Sequence, residues 1–269
     1  MSQPIINDTL RAELIGTAEA LADAAGAAIL PHFRRYDLTS DNKLDGGFDP
    51  VTIADRDAEA AMRALLAELR PEDAILGEEF GPKSGTSGLT WVLDPIDGTR
   101  GFISGTPTWG VLIAVGGPTG PLLGVIDQPY TAERFVGGLG EVRMTGPAGR
   151  RTLRTRDTAQ LAQAILFTTF PEVGSKTEGA AFAALSAGVK LTRYGMDCYA
   201  YALVAAGQID LVVEAGLQPY DIQAPLAVIE AAGGIVTDWQ GGPAHMGGRV
   251  LAAANAGIHA EALKVLREF

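Results

Sequence analysis

The sequence contains a single cysteine, Cys198, among its 269 residues. One cysteine excludes an internal disulfide and is typical of a reducing compartment. No histidine is close to Cys198 in the sequence, so a small buried thiol is a better interpretation of this residue than a nucleophile. The chain has only three histidines (His32, His245 and His259), and none of them falls in a motif that carries chemistry.

Long apolar runs and basic residues are also scarce. No stretch approaches the roughly 20 apolar residues that a membrane helix needs, and no charged segment followed by an apolar one marks a signal peptide. Lys and Arg number 21 against 32 Asp and Glu, which gives a net charge of -11. The clearest basic cluster, at residues 150–156, alternates with threonines as the solvated side of a strand does. We therefore expect a soluble, cytoplasmic protein with neither a membrane nor a nucleic acid as partner.

The chain has enough apolar residues for a large core, at 47% of its composition. The first half has helical patterns and then β runs separated by Gly-Pro turns, whereas the second half alternates strands and helices. These patterns predict an α/β (α+β) protein with one domain over residues 1–269. Within it we expect two subdomains, an α+β half at 1–146 that carries the metal site and an α/β half at 147–269 that selects the substrate.

The most informative stretch is Trp91–Pro107, WVLDPIDGTRGFISGTP. Its apolar start predicts a buried strand, and Asp94 and Asp97 follow at the end of that strand, with a proline between them that stiffens the bend. Gly98 and Thr99 then indicate the start of a short helix. Two rigidly held acids beside helix-terminal N–H groups suit a divalent cation and a phosphate bound together. The alternative is an ordinary acid-Pro turn with a helix cap.

Three further acids stand at the ends of predicted elements. Asp55 and Asp221 open predicted helices, and Glu78 follows a short predicted strand at residues 74–76. Carboxylates gathered from separate elements repel one another, and a divalent metal ion removes that cost. Taken singly, Asp55 and Asp221 are explained slightly better as helix N-caps, and Glu78 as a surface residue. The five acids together favour a metal site.

Four motifs, taken in chain order, resemble those of the inositol monophosphatase superfamily. They are Asp49–Asp55 (DPVTIAD), Gly77–Glu79, Asp94–Thr99 (DPIDGT), and Tyr220–Asp221 followed by Ala231–Gly234. The resemblance covers nearly the whole chain and implies the layered αβαβα sandwich of the sugar phosphatases. It also implies Mg²⁺-dependent hydrolysis of a small phosphomonoester. The family is often dimeric, which makes a homodimer a possible partner.

The resemblance also implies a ligand set for two or three Mg²⁺ ions. By position in the motifs, Glu78, Asp94 and the carbonyl oxygen of Ile96 would hold the first ion. Asp94, Asp97 and Asp221 would hold the second ion.

The same resemblance implies the catalytic and phosphate-binding groups. Glu78 and Thr99 would orient the attacking water, with Asp55 hydrogen-bonded to Thr99. The backbone N–H groups of Gly98 and Thr99 would hold the phosphate. An intact set of water-orienting residues argues against the alternative of a metal-binding regulator without turnover.

Three segments resemble bacterial histidinol-phosphatases more than inositol monophosphatases: Gly98–Gly105, Gly195–Tyr201 and Pro219–Asp221. This closer resemblance implies hydrolysis of L-histidinol phosphate in histidine biosynthesis, with an inositol 1-phosphate or broad sugar phosphatase as the alternative. Glu214 aligns with the family's polyol-contacting acid, and Asp197 stands where inositol enzymes carry a small residue. Two acids suit a substrate with an ammonium group and an imidazole. Asp197 has the alternative role of a helix N-cap.

The sequence departs from the family pattern at several places, among them Tyr220, where many members have Trp, and Gln223, which replaces a small residue. The family's loop lysine aligns with Leu44, with Lys43 beside it, so the resemblance does not carry a metal or phosphate contact over to the 34–48 loop. Pro225 replaces a small residue after Asp221. Because proline is tolerated in the first helical turn, it predicts that Asp221 caps this helix.

Overall fold

The computed structural model describes residues 5–36, 39–42 and 50–269. Its helices and strands alternate along the chain in the way the sequence predicts, with short β elements added. The helices are α1 (Asp8–Ile29), α2 (Ile53–Leu69), α3 (Thr99–Ile103), α4 (Lys176–Ala187), α5 (Asp197–Ala205), α6 (Pro219–Ala231) and α7 (Ala256–Leu266). The strands of the first half are β1 (Ser40–Asn42), β2 (Pro50–Thr52), β3 (Ala74–Gly77), β4 (Gly81–Lys83), β5 (Thr90–Asp97), β6 (Gly110–Gly117), β7 (Gly120–Gln128), β8 (Glu133–Gly138) and β9 (Glu141–Gly146). Those of the second half are β10 (Gly149–Thr152), β11 (Ile165–Thr168), β12 (Leu191–Tyr194), β13 (Leu211–Leu217), β14 (Ile235–Thr237) and β15 (Gly248–Ala253).

Two large sheets form the body of the molecule. The first has eight strands in the order β10-β9-β8-β7-β6-β5-β3-β4, and β5 through β10 form an antiparallel meander within it. The second has five strands in the order β12-β11-β13-β15-β14, with β11 parallel to both of its neighbours. A separate two-stranded ribbon joins β1 and β2.

Helices cover both faces of these sheets. Helices α1 and α2 pack on one face of the eight-stranded sheet, and α6 packs on its other face against β5 to β8. Helix α5 packs beside α6 and contacts β11, β13 and β15 of the second sheet, whose far face is covered by α4 and α7. The order of layers is therefore α1/α2, sheet, α5/α6, sheet, α4/α7, which confirms the predicted αβαβα sandwich.

The central strands are apolar on both faces because both faces are covered. Along β5, Trp91 and Leu93 face the core under α1 and α2, whereas Val92 faces the core between the two sheets. Successive side chains of a strand point to opposite faces. A strand buried on both sides therefore shows a continuous apolar run. This explains why the apolar run before Asp94 can be recognised in the sequence as a buried strand.

Two helix starts differ from the sequence prediction. Helix α2 is capped by Thr52, and Asp55 lies at the third helical position, where its Oδ2 accepts the backbone N–H of Thr52 at 2.8 Å. Helix α6 begins at Pro219, and Asp221 Oδ2 accepts the N–H of Gln218 at 2.7 Å. The prediction that Asp55 and Asp221 are N-caps is therefore wrong, because each carboxylate reaches back from inside the first turn instead.

Pro225 lies inside α6, not in its first turn. Pro219 occupies the first turn instead. Proline is tolerated there because a backbone N–H at that position would have no hydrogen-bond partner within the helix. Pro225 itself is buried in the helix that separates the two sheets. Tertiary packing therefore overrides the unfavourable helix propensity of an internal proline.

The predicted boundary between two subdomains stays a prediction. Strand β10, from the second half, completes the eight-stranded sheet, and α6 packs on that sheet as well. Strand β9 was not predicted from the sequence, nor were the three-residue strands β1, β2 and β4. Lys43, Leu44 and most of the predicted 34–48 loop lie outside the described residues. Within the described ranges, no helix combines the length and apolar character needed to cross a membrane.

Candidate active site

Parallel pairing of β3 and β5 brings the first acids to one edge of the sheet. Gly77 pairs with Leu93 in this ladder. The next residue of each chain segment, Glu78 and Asp94, therefore lies at the same end of the two strands. The ladder between β5 and β6 then shifts register between Asp94 and Asp97. A proline cannot donate to a ladder, and such residues are accommodated at bulges. The bulge at Pro95 thus turns the end of β5 and directs Asp94 and Asp97 into one pocket.

Helix α6 supplies the third acid of this pocket. One carboxylate oxygen from each of Asp94, Asp97 and Asp221 lies within 4.8 Å of the others. Glu78 lines the same pocket and shares a hydrogen bond with Asp94. The first turn of α5 also faces the cluster, where the N–H of Cys198 donates to Asp97 Oδ2 at 2.6 Å.

The electrostatics of this cluster oppose ionisation. Burial raises the pKa of Asp94 well above its usual value, and the nearby Glu78 and Asp97 add to that shift. Burial likewise raises the pKa of Asp97, with Asp221 as the next cause, against the hydrogen bond from Cys198. Desolvation and like charge both disfavour carboxylates. A divalent cation would relieve both effects.

Asp55 and Thr99 meet across the edge of this pocket. The Thr99 hydroxyl lies 3.4 Å from Asp55 Oδ1 and 3.1 Å from the carbonyl oxygen of Ile96, the nearer acceptor. The other oxygen of Asp55 is held by the backbone and hydroxyl of Thr52. Asp55 is 1% exposed, and burial raises its pKa in spite of the hydrogen bonds from Thr52.

Gly98 caps α3 with a left-handed backbone, at φ 84°. A Cβ at this position would lie 2.8 Å from the Cβ and Cγ of Asp197, so the close approach of the two loops requires glycine. Asp197 itself has φ 44°, which is uncommon for a residue other than glycine. It is the first residue of α5 and follows the cap residue Met196, so the alternative role of Asp197 as an N-cap is wrong.

The Asp197 carboxylate lies inside the pocket instead. Thr108 donates its hydroxyl to Asp197 Oδ2 at 3.2 Å. Burial, with Glu214 as the next cause, raises the pKa of Asp197 to about 6, against Thr108 and Arg100, which lower it. Glu214 is buried in the same pocket, where it accepts the Thr169 hydroxyl at 2.5 Å and the Tyr201 hydroxyl at 2.7 Å.

The pocket has a volume of about 340 Å³ and includes residues that the sequence did not single out. Arg100, Phe170 and Glu172 form part of its wall, with the Arg100 guanidinium 4.8 Å from the centre of the Phe170 ring. Phe170 is 44% exposed, so an apolar face stands beside the acids. Phe170 and Glu172 follow β11 in an irregular segment, where no periodic pattern marks them.

The donor set fits hard divalent cations. Carboxylate oxygens are the ligands that Mg²⁺ prefers, and three of them converge here from β5 and α6 with Glu78 alongside. Burial and neighbouring acids raise the pKa of Asp94 and Asp97, so their surroundings in the protein favour the neutral forms on balance. The positive charge of a divalent cation would offset the repulsion among these carboxylates.

Comparisons with known proteins agree with this geometry. Residues 10–269 match the Inositol monophosphatase family. The bifunctional phosphatase IMPL2 of Arabidopsis thaliana is 41% identical over 97% of this chain and 77% of its own length. A histidinol-phosphatase of Streptomyces coelicolor is 34% identical over 93% of this chain and 96% of its own length. The solved structure of an inositol monophosphatase from Zymomonas mobilis superposes with a TM-score of 0.83 at 41% identity, covering 95% of this chain and 98% of that one.

The chain belongs to the inositol monophosphatase family, a family of metal-dependent phosphatases that generally use Mg²⁺. The family resemblance drawn from the four sequence motifs is thereby confirmed. Relatives named for histidinol phosphate and for inositol phosphate are both close to this chain. The comparisons therefore define a small phosphomonoester as the class of substrate and leave its identity open.

Proposed function

We propose that this protein hydrolyses L-histidinol phosphate to L-histidinol and inorganic phosphate. The observation that carries the proposal is the excess of carboxylates in the pocket beyond the proposed metal ligands. Glu172, Asp197 and Glu214 all line it. A neutral polyol has no charge to offset these acids. A substrate that carries an ammonium group and an imidazole offsets them, because opposite charges in a partly desolvated pocket attract strongly.

The raised pKa of Asp197 supports the same choice. This carboxylate is buried beside Glu214, and Arg100 only partly compensates its charge. A cationic group bound near Asp197 would favour its ionised form. The exposed ring of Phe170 adds an apolar surface on which a flat imidazole can lie.

We assign the catalytic roles to the residues that meet at the end of β5. In this role Asp55 Oδ1, 3.4 Å from the Thr99 hydroxyl, would accept its proton in place of the nearer Ile96 carbonyl oxygen, which would leave the Thr99 oxygen as an acceptor for the attacking water. The carboxylate of Glu78 accepts the proton of that water on the other side. Both contacts orient the water toward the phosphorus atom, and a shared proton lowers the demand for a strong base.

We assign metal binding to Glu78, Asp94, Asp97, Asp221 and the carbonyl oxygen of Ile96. Divalent cations held there would neutralise charge on the phosphoryl oxygens and on the leaving alkoxide and would activate water. The backbone N–H groups of Gly98 and Thr99, at the start of α3, would hold the phosphate.

Hydrolysis of inositol 1-phosphate is the second candidate. The Zymomonas mobilis enzyme, named an inositol monophosphatase, favours it at 41% identity. Glu214 accepts hydroxyl hydrogen bonds from Thr169 and Tyr201, and its carboxylate also suits the hydroxyl groups of a polyol.

A phosphate-release assay separates these candidates. The purified protein is given L-histidinol phosphate, inositol 1-phosphate and glycerol 2-phosphate, each with Mg²⁺ and each with a chelator. We expect kcat/KM for histidinol phosphate to exceed that for the other two by about tenfold or more, the factor that 1.4 kcal/mol gives. Equal or better turnover of inositol 1-phosphate would select the second candidate. No release from any substrate would favour a metal-binding protein without turnover.

A further inference from the structure

Helix α2 carries a second buried carboxylate one turn beyond Asp55. Glu59 is 0% exposed and does not line the active-site pocket. Residues four apart in a helix lie on the same face, so Asp55 and Glu59 both project from α2 toward the edge of the eight-stranded sheet. A fully buried glutamate is costly unless its oxygens are satisfied.

The hydrogen bonds of Glu59 go to the turn that bears Glu78. Its Oε2 accepts the backbone N–H of Glu79 at 2.6 Å, and its Oε1 lies 3.2 Å from the backbone N of Phe80. The counter-charge comes from the same helix, since Arg63 Nε donates to Glu59 Oε1 at 2.7 Å. The two amides that follow Glu78 directly are thus fixed to α2 by one carboxylate.

The residue before Glu78 packs closely against the carboxylate of Glu59. A Cβ added to Gly77 would lie 2.0 Å from Glu59 Oε1 and 2.5 Å from its Cδ, so only glycine allows this approach. The backbone N–H of Glu78 donates to the carbonyl of Leu93 on β5 at 3.2 Å. Glu59 therefore contacts the chain on both sides of Glu78, by close packing at Gly77 and by hydrogen bonds to the amides that follow, and Glu78 itself is hydrogen-bonded to the strand that leads to Asp94.

We propose that Glu59 is a positioning residue that fixes Glu78 relative to the Asp55–Thr99 pair. Helix α2 then positions both water-orienting groups. It contacts Thr99 through Asp55 and the turn that bears Glu78 through Glu59. The inference rests on the proposed role of Glu78. It predicts that weakening the attachment of Glu59 loosens the metal and water geometry without removing any group that touches substrate.

The test is Glu59→Gln, which keeps the shape of the side chain and one acceptor oxygen but places an NH₂ group against a backbone N–H donor. We expect kcat to fall by about 10–100-fold with little change in KM, as for other residues that support a metal ligand. Mg²⁺ affinity, measured by calorimetric titration without substrate, should weaken about tenfold or more. Hydrogen exchange should show lost protection at the amides of Glu79 and Phe80.

Asp73→Asn is the matched control. Asp73 is also a buried carboxylate paired with an arginine, since Arg70 Nε donates to it at 2.8 Å, and it also accepts the Trp91 indole N–H. It lies just before β3, at the end of that strand away from Glu78. We expect the control to lose stability while Mg²⁺ affinity and kcat remain as in the wild type. Equal Mg²⁺ affinity in Glu59→Gln and wild type would overturn the positioning role.

Gly77→Ala serves if Glu59→Gln does not fold, because the added methyl group displaces the same carboxylate from the other side. Weaker Mg²⁺ binding by the folded Gly77→Ala variant supports the inference, and unchanged binding overturns it. A wild type that binds Mg²⁺ but releases no phosphate from any monoester defeats the proposed function alone. The Mg²⁺ and hydrogen-exchange comparisons would then still decide the role of Glu59.

Discussion

Replacing Asp97 by asparagine should change the stability of the protein in opposite directions with and without Mg²⁺. Asparagine has the shape of aspartate, and its side-chain oxygen can still accept the N–H of Cys198 that now donates to Asp97 at 2.6 Å. The substitution removes one negative charge from the cluster and no core volume. We expect the variant to be more stable than the wild type in a chelator and less stable than it in saturating Mg²⁺.

The gain without metal follows from the geometry of the cluster. Two ionised carboxylates with oxygens 4.8 Å apart, the limit that holds for Asp94, Asp97 and Asp221, repel by about 3.5 kcal/mol at an effective dielectric constant near 20. Because the pKa values of Asp94 and Asp97 are raised, partial protonation of these carboxylates reduces the repulsion. The actual repulsion is therefore smaller than that of a fully ionised cluster. Each 1 kcal/mol gained should raise Tm by about 2–4 °C in a chain of this size.

The loss with metal follows from binding linkage. Mg²⁺ at one hundred times its Kd stabilises the folded protein by about 2.7 kcal/mol, which corresponds to a rise in Tm of about 5–10 °C for the wild type. A variant that lacks one carboxylate ligand should show a much smaller rise at the same Mg²⁺ concentration. The two Tm curves should therefore cross as Mg²⁺ increases.

Thermal unfolding in a chelator and over a Mg²⁺ series at pH 7.5 measures the crossing, and phosphate release should fall to a small fraction of the wild-type rate. Asp73→Asn, which changes a buried carboxylate outside the pocket, should lower Tm by a similar amount with and without Mg²⁺. A parallel loss for Asp97→Asn, or a wild-type rate, would refute the view that Asp97 belongs to a repulsive metal-binding cluster.

Three further predictions concern pH, substrate choice and packing. Because burial and like charges raise the folded-state pKa of Asp94 and Asp97, their protonation stabilises the apo protein at low pH. In a chelator, Tm should fall as pH rises above the ordinary carboxyl range of about 4, and saturating Mg²⁺ should flatten this dependence. Asp197→Ala should lower kcat/KM for histidinol phosphate about tenfold more than for inositol 1-phosphate, and equal losses would assign Asp197 a local structural role. A Cβ at Gly124 would lie 2.3 Å from the Ala224 carbonyl oxygen on α6, so urea unfolding of Gly124→Ala should show a loss of about 1–3 kcal/mol. Gly16→Ala in α1, where nothing lies within 4 Å, should gain about 0.5–1 kcal/mol instead.

Local signals in the sequence were sufficient to predict several elements of the fold. The apolar run before Asp94 marks β5 because both faces of that strand are buried, and Gly98 and Thr99 mark α3 because glycine supplies the left-handed cap. These features depend on neighbours a few positions away, so periodicity and capping chemistry are sufficient to find them.

Contacts across the chain decided the rest. The sequence presents Asp55 and Asp221 as helix caps, whereas the fold places both at the third helical position, with Asp55 also facing Thr99 across 44 positions of sequence. Glu59 shows no signal beyond its spacing of four from Asp55, and its partners Glu79 and Phe80 follow it by 20 and 21 positions.

The sequence by itself determined which chemical groups are present, in which order they occur and which local elements bear them. Only the tertiary structure decided which of those groups meet. The parallel pairing of β3 with β5 and the direction of α6 set the distances among the carboxylates. Electrostatic repulsion and metal affinity depend on those distances and on burial. Neither quantity is contained in local periodicity, because each arises from elements that are remote in the chain and adjacent only in the folded protein.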